Sequence, residues 1–263
     1  MESWPLNAPL ATLLEPDGFA CARGLFGPAT QSALRHFIGA VYPRLDDCAA
    51  GGPAIGESED ARKLMQTFRD WGGIPFADLA GYLAEIDQDV ERFAQLRRDL
   101  AGAVARVAGD GWTLSPDLSY FRRPDKVSRY TTWHCDAEAA DYIGQTSRTF
   151  VTVWTPLMHV GTDLPSLELI RGSHVPMMAT RDPMQEDRHR SAEWVDHHMT
   201  GERAILSLAP GDALIFTAYT LHRTQQLFPP APRPRVSCDL RFYRENDPPG
   251  QPRRWWQRLA ARR

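Results

Sequence analysis

A histidine and an aspartate two positions apart, in the segment "WHCD", are the first candidates for chemistry in this chain. His134 and Asp136 lie on either side of Cys135. Alternate residues of a β-strand point to the same side, so the imidazole and the carboxylate can reach one ion while the thiol faces away. A single pair of this kind occurs by chance in many chains, so a site needs a further ligand.

A third candidate ligand follows the segment "PGDALIFTAYT". A turn at residues 210–212 and a strand over residues 213–219 place His222 at the far end of that strand. Two histidines and one carboxylate on one face, with the opposite positions open, are typical of non-haem Fe(II) oxygenases. Zinc can bind the same set, although its catalytic sites more often use three histidines or an HExxH helix, a motif that this sequence lacks.

The segment "FPPAPRPRVSCDLRFY" offers cations to the same site. An Fe(II) oxygenase of this type takes electrons from a cosubstrate, commonly a 2-oxoacid, whose distal carboxylate needs a cation. Arginine is the preferred partner because it pairs with a carboxylate in a planar, bidentate geometry. Arg233 lies eleven residues after His222, and Arg235 and Arg241 share its parity on the predicted strand.

The elements that must position these residues change along the chain. Up to about residue 110 the sequence predicts helices, because "TQSALRHFIGAVYPRL" and "FADLAGYLAEIDQDVERFAQLRRDLAGAVARVAG" carry apolar residues at spacings of three and four. The glycine-rich "AAGGPAIGESED" between them predicts a loop. Over about residues 112–245, short β-rich runs bounded by Pro, Gly or Asp predict a mainly β jelly-roll barrel, with the helices as a buttress on its outside.

Two segments stand apart from that pattern, within what we expect to be a single domain over residues 1–263. Residues 175–200 predict an insertion, which is either a lid over the substrate or a disordered loop. Residues 246–263 form a basic segment whose tryptophans we expect to pack on the domain. The insertion offers an adaptable apolar surface through Met177, Met178, Met184 and Trp194.

Composition narrows the classes of function. The chain is 43% hydrophobic, enough for a sizeable core, and its net charge of −3 argues against a nucleic-acid partner. The sequence contains no run of 18 uncharged apolar residues, so it predicts no membrane-spanning helix. The first residues lack a signal-peptide pattern, and we therefore expect a cytoplasmic protein. Four scattered cysteines without CxxC spacing argue against a zinc knuckle and a disulfide framework.

Taken together, the motifs resemble the phytanoyl-CoA dioxygenase-like (PhyH) family of Fe(II)/2-oxoglutarate-dependent oxygenases. The segments "WHCD", "FVTVWTPL", "LELIRGSH", "PGDALIFTAYTLHRT" and "RPRVSCDLRFY" follow the family's order over about residues 120–243. The resemblance implies a double-stranded β-helix, the barrel of cupin-like enzymes, and a site for Fe(II), 2-oxoglutarate and O₂. It does not identify the substrate, which we expect to be a small or medium-sized organic molecule.

The resemblance also implies roles for individual residues. The metal ligands, which are also the catalytic residues, would be His134, Asp136 and His222. The cosubstrate would contact Arg233, Thr224 and Trp154. Arg235 is the alternative to Arg233, because a bulge in the proline-rich stretch would shift the strand register.

The implied reaction is oxidative decarboxylation of 2-oxoglutarate to succinate and CO₂, coupled to hydroxylation of a C–H bond. Halogenating relatives lack the carboxylate ligand, so Asp136 favours hydroxylation over chlorination. Arg171 replaces a proline that is frequent in the family, which makes it a candidate contact for an acidic substrate. Three alternatives remain: a cupin-like metal-dependent isomerase or hydrolase, which would not need Arg233, a non-catalytic ligand-binding jelly roll, and an oxygenase that acts on a nucleic acid or a protein. The net charge argues only against the nucleic acid.

Overall fold

The computed structural model describes residues 14, 16–123, 132–137, 150–179, 189–228, 231 and 234–244. The helices in this part of the chain are α1 (Pro28–Ala49), α2 (Glu59–Trp71), α3 (Phe76–Glu85), α4 (Val90–Ala108), α5 (His174–Ala179) and α6 (Ala192–His198). The strands are β1 (Phe19–Ala22), β2 (Gly73–Pro75), β3 (Trp112–Leu114), β4 (Tyr120–Arg122), β5 (Trp133–His134), β6 (Phe150–Pro156), β7 (Leu167–Ile170), β8 (His189–Arg190), β9 (Arg203–Ile205), β10 (Ala213–Thr217), β11 (His222–Thr224) and β12 (Ser237–Arg244).

The strands form two antiparallel sheets whose inner faces meet. The larger sheet has seven strands in the order β1-β10-β6-β12-β4-β2, with β3 also paired to β12, and the smaller has five in the order β8-β5-β11-β7-β9. One apolar cluster joins Trp154 and Phe216 of the larger sheet to Leu167 and Leu169 of the smaller. This arrangement confirms the predicted jelly-roll barrel with flanking helices.

Helices α1 to α4 pack against the outer face of the larger sheet. Because alternate residues of a strand face opposite sides, β6 presents Val151 and Val153 to the cluster that these helices share, and presents Thr152 and Trp154 to the barrel interior. The predicted helical buttress therefore covers one face of the sheet that also carries part of the site.

The helical part differs from the prediction where chain segments turn. Helix α2 begins inside the segment predicted as a loop, because the Ser58 hydroxyl accepts a hydrogen bond of 3.0 Å from the Ala61 amide and caps the helix. The predicted continuous second helix is divided into α3 and α4, since Asp87 and Asp89 both have left-handed backbone angles, with φ of 50° and 53°. Strands β1 and β2 also lie within this part.

The strand predicted over residues 213–219 is shorter than expected. Strand β10 ends at Thr217, and the chain then turns through residues 218–221 into the other sheet. His222 therefore begins β11, which belongs to the smaller sheet, and does not lie at the end of a strand of the larger sheet.

The described part of the insertion packs beside the barrel. One apolar cluster contains Met177 and Val195 together with Trp133 and Phe150, and Trp194 packs against it. Residues 180–188, which include Met184, and residues 246–263 lie outside the described residues, and so does the side chain of Met178. The lid and the packing of the basic segment therefore stay predictions. None of the described helices is long and apolar enough to cross a membrane.

Candidate metal centre

His134 and His222 face one another across two paired strands of the smaller sheet. In the antiparallel register of β5 and β11 they are direct partners, and their ring centroids are 4.3 Å apart. Asp136 lies in a bend just after β5, so it reaches the pair from outside the strand and not, as predicted, from the strand itself. Ligand atoms of the three residues lie within 4.8 Å of one another. The structure thus brings the three predicted ligands together.

Backbone carbonyls orient both imidazoles. Nδ1 of His134 lies 3.0 Å from the Thr132 carbonyl oxygen, and Nδ1 of His222 lies 3.0 Å from that of Thr220. A carbonyl oxygen only accepts hydrogen bonds, so the proton belongs on each Nδ1 and the lone pair on each Nε2. Burial lowers the pKa of His134 to about 3 and also lowers the pKa of His222. Both rings are therefore neutral near pH 7, the state that binds a metal ion.

Two contacts fix the carboxylate of Asp136, and both involve Oδ2. The Thr152 hydroxyl donates a hydrogen bond of 2.6 Å to this oxygen, and Nη2 of Arg241 lies 3.0 Å from it. Burial alone would raise the pKa of Asp136, but Arg241, the two imidazoles and the Thr152 hydroxyl together hold the pKa below its ordinary value. The carboxyl group is therefore ionised, and Oδ1 retains its lone pairs for a ligand role.

The chemistry of this donor set suits a divalent transition metal. Two neutral imidazoles and one ionised carboxylate, close together on one side of an ion, are the ligands of non-haem Fe(II) oxygenases. The fixed Nδ1 protons and the contacts to Oδ2 are the outer interactions that orient metal ligands in such sites.

A cavity opens beside the two histidines. Its wall includes Trp154 from the larger sheet and Thr224 from the smaller, both predicted as cosubstrate contacts, together with Arg235. Arg233 lies outside the described residues, so its predicted role stays a prediction.

Among the described residues, three arginines line the cavity, and two of these are ion-paired. Nη1 of Arg122 lies 2.6 Å from Oδ2 of Asp239, and Arg241 is paired with Asp136. Arg235 is 4% exposed, and none of the carboxylates that the structure describes lies within ion-pair distance of it. Arg235 is therefore the cation available to an anion that enters the cavity.

The guanidinium of Arg235 is held by several neutral contacts. Its Nη1 donates hydrogen bonds of 3.2 Å and 2.8 Å to the carbonyl oxygens of Pro165 and Ser166, and its Nη2 donates one of 3.2 Å to the Thr224 hydroxyl. The guanidinium carbon lies 5.1 Å from the ring centroid of Trp154. Burial lowers the pKa of Arg235 to about 10, and its Nε has no hydrogen-bond partner among the described residues. Thr224 and Trp154 thus both contact Arg235.

Arg171, the candidate contact for an acidic substrate, is engaged elsewhere. It forms an ion pair with Asp17, and its Nε lies 3.5 Å from a carboxylate oxygen of Glu202. The residues that line the cavity do not include it. Its position in the structure gives no support to that expected contact.

The sequence does not predict that Thr152 contacts Asp136 or that Arg122 forms an ion pair with Asp239. Arg241 is noted there only for its parity on the strand. A signal was present in "SCDLRFY", where Asp239 and Arg241 alternate with Cys238 and Leu240. Alternation in a barrel strand assigns the polar side chains to the interior face, where they need partners.

Comparisons with known proteins show to which family the chain is similar. The family model for Phytanoyl-CoA dioxygenase (PhyH) matches residues 14–233. Among curated proteins, none matches the chain.

Several solved structures share the fold. The epimerase SnoN, in complex with Fe³⁺, alpha ketoglutarate and nogalamycin RO, has a TM-score of 0.54 and 17% identity, over 92% of this chain and 90% of SnoN. EctD from S. alaskensis, with 2-oxoglutarate and 5-hydroxyectoine, has a TM-score of 0.56 and 18% identity, over 97% and 85% of the two chains. AviO1 from Streptomyces viridochromogenes Tue57 has a TM-score of 0.57 and 17% identity, over 95% and 99%.

Proposed function

The chain belongs to the phytanoyl-CoA dioxygenase family, and from this membership we propose that it is an Fe(II)/2-oxoglutarate-dependent oxygenase that hydroxylates a C–H bond. The substrate would be a small or medium-sized organic molecule, and the other products would be succinate and CO₂. The observation that carries the proposal is the cluster of His134, Asp136 and His222, whose two histidines line the same cavity as a buried arginine without a carboxylate partner among the described residues.

His134, Asp136 and His222 would hold Fe(II). When bound, iron and 2-oxoglutarate supply the activation of O₂. The chain itself orients the ligands through the carbonyl contacts of the imidazoles and the two contacts to Oδ2 of Asp136.

Arg235 would bind the distal carboxylate of 2-oxoglutarate, in preference to Arg233. It lines the cavity, it carries an unneutralised charge among the described residues, and burial removes the water that would screen its attraction for a carboxylate. Thr224 and Trp154 support this role, because they fix the guanidinium from two sides.

A cupin-like isomerase or hydrolase would use the same three ligands, but it would have no use for the cation of Arg235. A non-catalytic binding protein would bear the cost of clustered ligands and of a buried arginine without a carboxylate partner among the described residues, and would have no function for them. SnoN is described as an epimerase and EctD was solved with 5-hydroxyectoine. The analysis of products must therefore separate insertion of oxygen from epimerisation, which leaves the mass unchanged.

The test combines cosubstrate binding with turnover. Anaerobic addition of Fe(II) and 2-oxoglutarate to the protein should produce a weak visible charge-transfer band, and Asp136→Ala should abolish it. Arg235→Met should weaken 2-oxoglutarate binding by roughly 10- to 100-fold, the effect of losing a charge-assisted pair, while iron binding persists.

Arg233→Met is the matched control and should leave 2-oxoglutarate binding near that of the wild type. A large loss in this variant, with none in Arg235→Met, would return the role to Arg233. Failure of the wild type to convert 2-oxoglutarate to succinate with any substrate would refute the proposal in favour of the isomerase or hydrolase.

A further inference from the structure

The cavity wall carries a second polar feature, formed by Asp239 and Arg241. The two residues lie two positions apart on β12, so their side chains share the face of the strand that lines the cavity. Asp239 is 3% exposed and Arg241 is 8% exposed. Both charged groups are therefore removed from bulk solvent.

Each of these side chains uses one polar atom in an ion pair and holds another for which the described part of the chain supplies no partner. Oδ2 of Asp239 contacts Arg122, whereas Oδ1 is buried and has no hydrogen-bond partner among the described residues. Nη2 of Arg241 contacts Asp136, whereas Nη1 is buried and likewise lacks a described partner. A buried polar atom without a partner costs free energy, so a ligand that supplies both partners is favoured.

The ion pairs determine which charge such a ligand can carry. Arg122 neutralises Asp239, and Asp136 is neutralised by Arg241. A carboxylate on the ligand would meet the oxygen of Asp239, and an ammonium group would meet the guanidinium of Arg241, so either charged group faces repulsion from one neighbour. A neutral group that both donates and accepts a hydrogen bond faces none.

We propose that Asp239 and Arg241 recognise a neutral hydroxyl or carboxamide group of the substrate. The group would donate a hydrogen bond to Oδ1 of Asp239 and accept one from Nη1 of Arg241. This inference rests on the proposed function, because the recognised molecule is the substrate of the same cavity. Arg241 also contacts the metal ligand Asp136, which places the recognised group on the metal side of the cavity and leaves Arg235 to the cosubstrate.

The experiment compares four probes that share a six-carbon chain and differ in the polar end: 1,2-hexanediol, hexanamide, hexanoate and hexylamine. The full chain is loaded anaerobically with Fe(II) and 2-oxoglutarate, and binding is measured from the paramagnetic relaxation of the probe protons. We expect the diol and the amide to bind at least roughly tenfold more tightly than the two charged probes, as expected for one or two satisfied buried hydrogen bonds.

Variants of Asp239 distinguish recognition of the probe from a purely structural role of this residue. Asp239→Ala should remove most of the preference for the neutral probes while the charge-transfer band with iron and 2-oxoglutarate remains. Asp239→Asn removes the negative charge with little change in volume, so the binding of hexanoate should strengthen. The matched control is Glu168→Gln, which also removes a buried carboxylate paired with an arginine, Arg223 at 2.7 Å, but from a side chain outside the cavity. It should keep the wild-type preference.

Three results would overturn the inference: hexanoate binding as tightly as the diol in the wild type, no measurable binding of the diol and the amide, or a wild-type preference in Asp239→Asn. Loss of the charge-transfer band from the wild type would instead contradict the proposed function, so the two failures are distinguishable.

Discussion

One oxygen of Asp136 carries the contacts that orient this ligand. The Thr152 hydroxyl and the Arg241 guanidinium both contact Oδ2, at 2.6 Å and 3.0 Å. Thr152 and Arg241 are themselves direct partners in the register of β6 and β12, so a single rung of the larger sheet positions the carboxylate. The orientation of the ligand thus depends on the sheet opposite to the one that carries the histidines.

Thr152→Val should lower the affinity for Fe(II) by about tenfold, because outer contacts to metal ligands typically contribute 10- to 100-fold. The replacement keeps the shape of the side chain and removes the hydroxyl. Anaerobic titration with Fe(II) in the presence of 2-oxoglutarate measures the change. Thr152→Ser retains the hydroxyl and should bind iron like the wild type; equal affinity in the valine and serine variants would show that this hydrogen bond does not orient Asp136.

The sequence predicts the candidate ligands better than the residues around them. Residue type and spacing predict His134, Asp136 and His222 as ligands, since few combinations of side chains suit one ion. Arg235 and Arg233 could not be separated, because a proline-rich stretch does not specify the register of the strand that follows. The partner of Asp239 depends on which strands become neighbours, and that is a property of the whole barrel.

Asp212 connects the residues that follow β1 to the turn before β10. Its Oδ2 accepts hydrogen bonds of 2.7 Å from Arg23 and 2.9 Å from the Ala209 amide, and its Oδ1 accepts one of 3.0 Å from the Gly24 amide. Strand β1 forms the edge of the larger sheet against β10. These contacts therefore hold the edge strand in place.

Asp212→Asn should lower the free energy of unfolding by about 1–3 kcal/mol at pH 7, the usual effect of weakening hydrogen bonds to a charged group. Burial raises the pKa of Asp212, but the amides of Ala209 and Gly24 and the Arg23 guanidinium bring it below its ordinary value of 3.8. The stabilisation is therefore present above that value and is lost as the pH falls through the lower pKa of the folded state. Urea unfolding at pH 7 and pH 3 should show a smaller difference between wild type and variant at pH 3. A difference independent of pH would show that the charge is not its cause.

Long elements were easier to predict than short ones and their ends. The apolar period of α1 and the succession of β-rich runs predicted a helix and a barrel, because each signal extends over many residues. Strand β1 has four residues and no such signal. The sequence does not predict the turn after Thr217, because Tyr219 and Leu221 continue the run of apolar residues in β10. The chain leaves the larger sheet at this point because the barrel must close.

The helices and the larger sheet share one core. Phe76 at the start of α3 lies 4.9 Å from Phe121 of β4 and 5.3 Å from Phe93 of α4, measured between ring centroids. All three side chains are buried, and they belong to the same apolar cluster as the outer face of β6. The helices should therefore not unfold while the sheet remains intact.

Phe76→Ala should lower the free energy of unfolding by about 3–5 kcal/mol, because it leaves a cavity between helix and sheet. Val90→Ala, at a position 41% exposed on α4, is the control and should change it by less than about 1 kcal/mol. Far-ultraviolet circular dichroism follows mainly the helices, and tryptophan fluorescence reports on residues such as Trp133 and Trp154 in the barrel. With a shared core, both signals should give the same urea midpoint and should shift together in Phe76→Ala. Separate midpoints would show that the helical part and the barrel are independent units, contrary to the prediction of one domain.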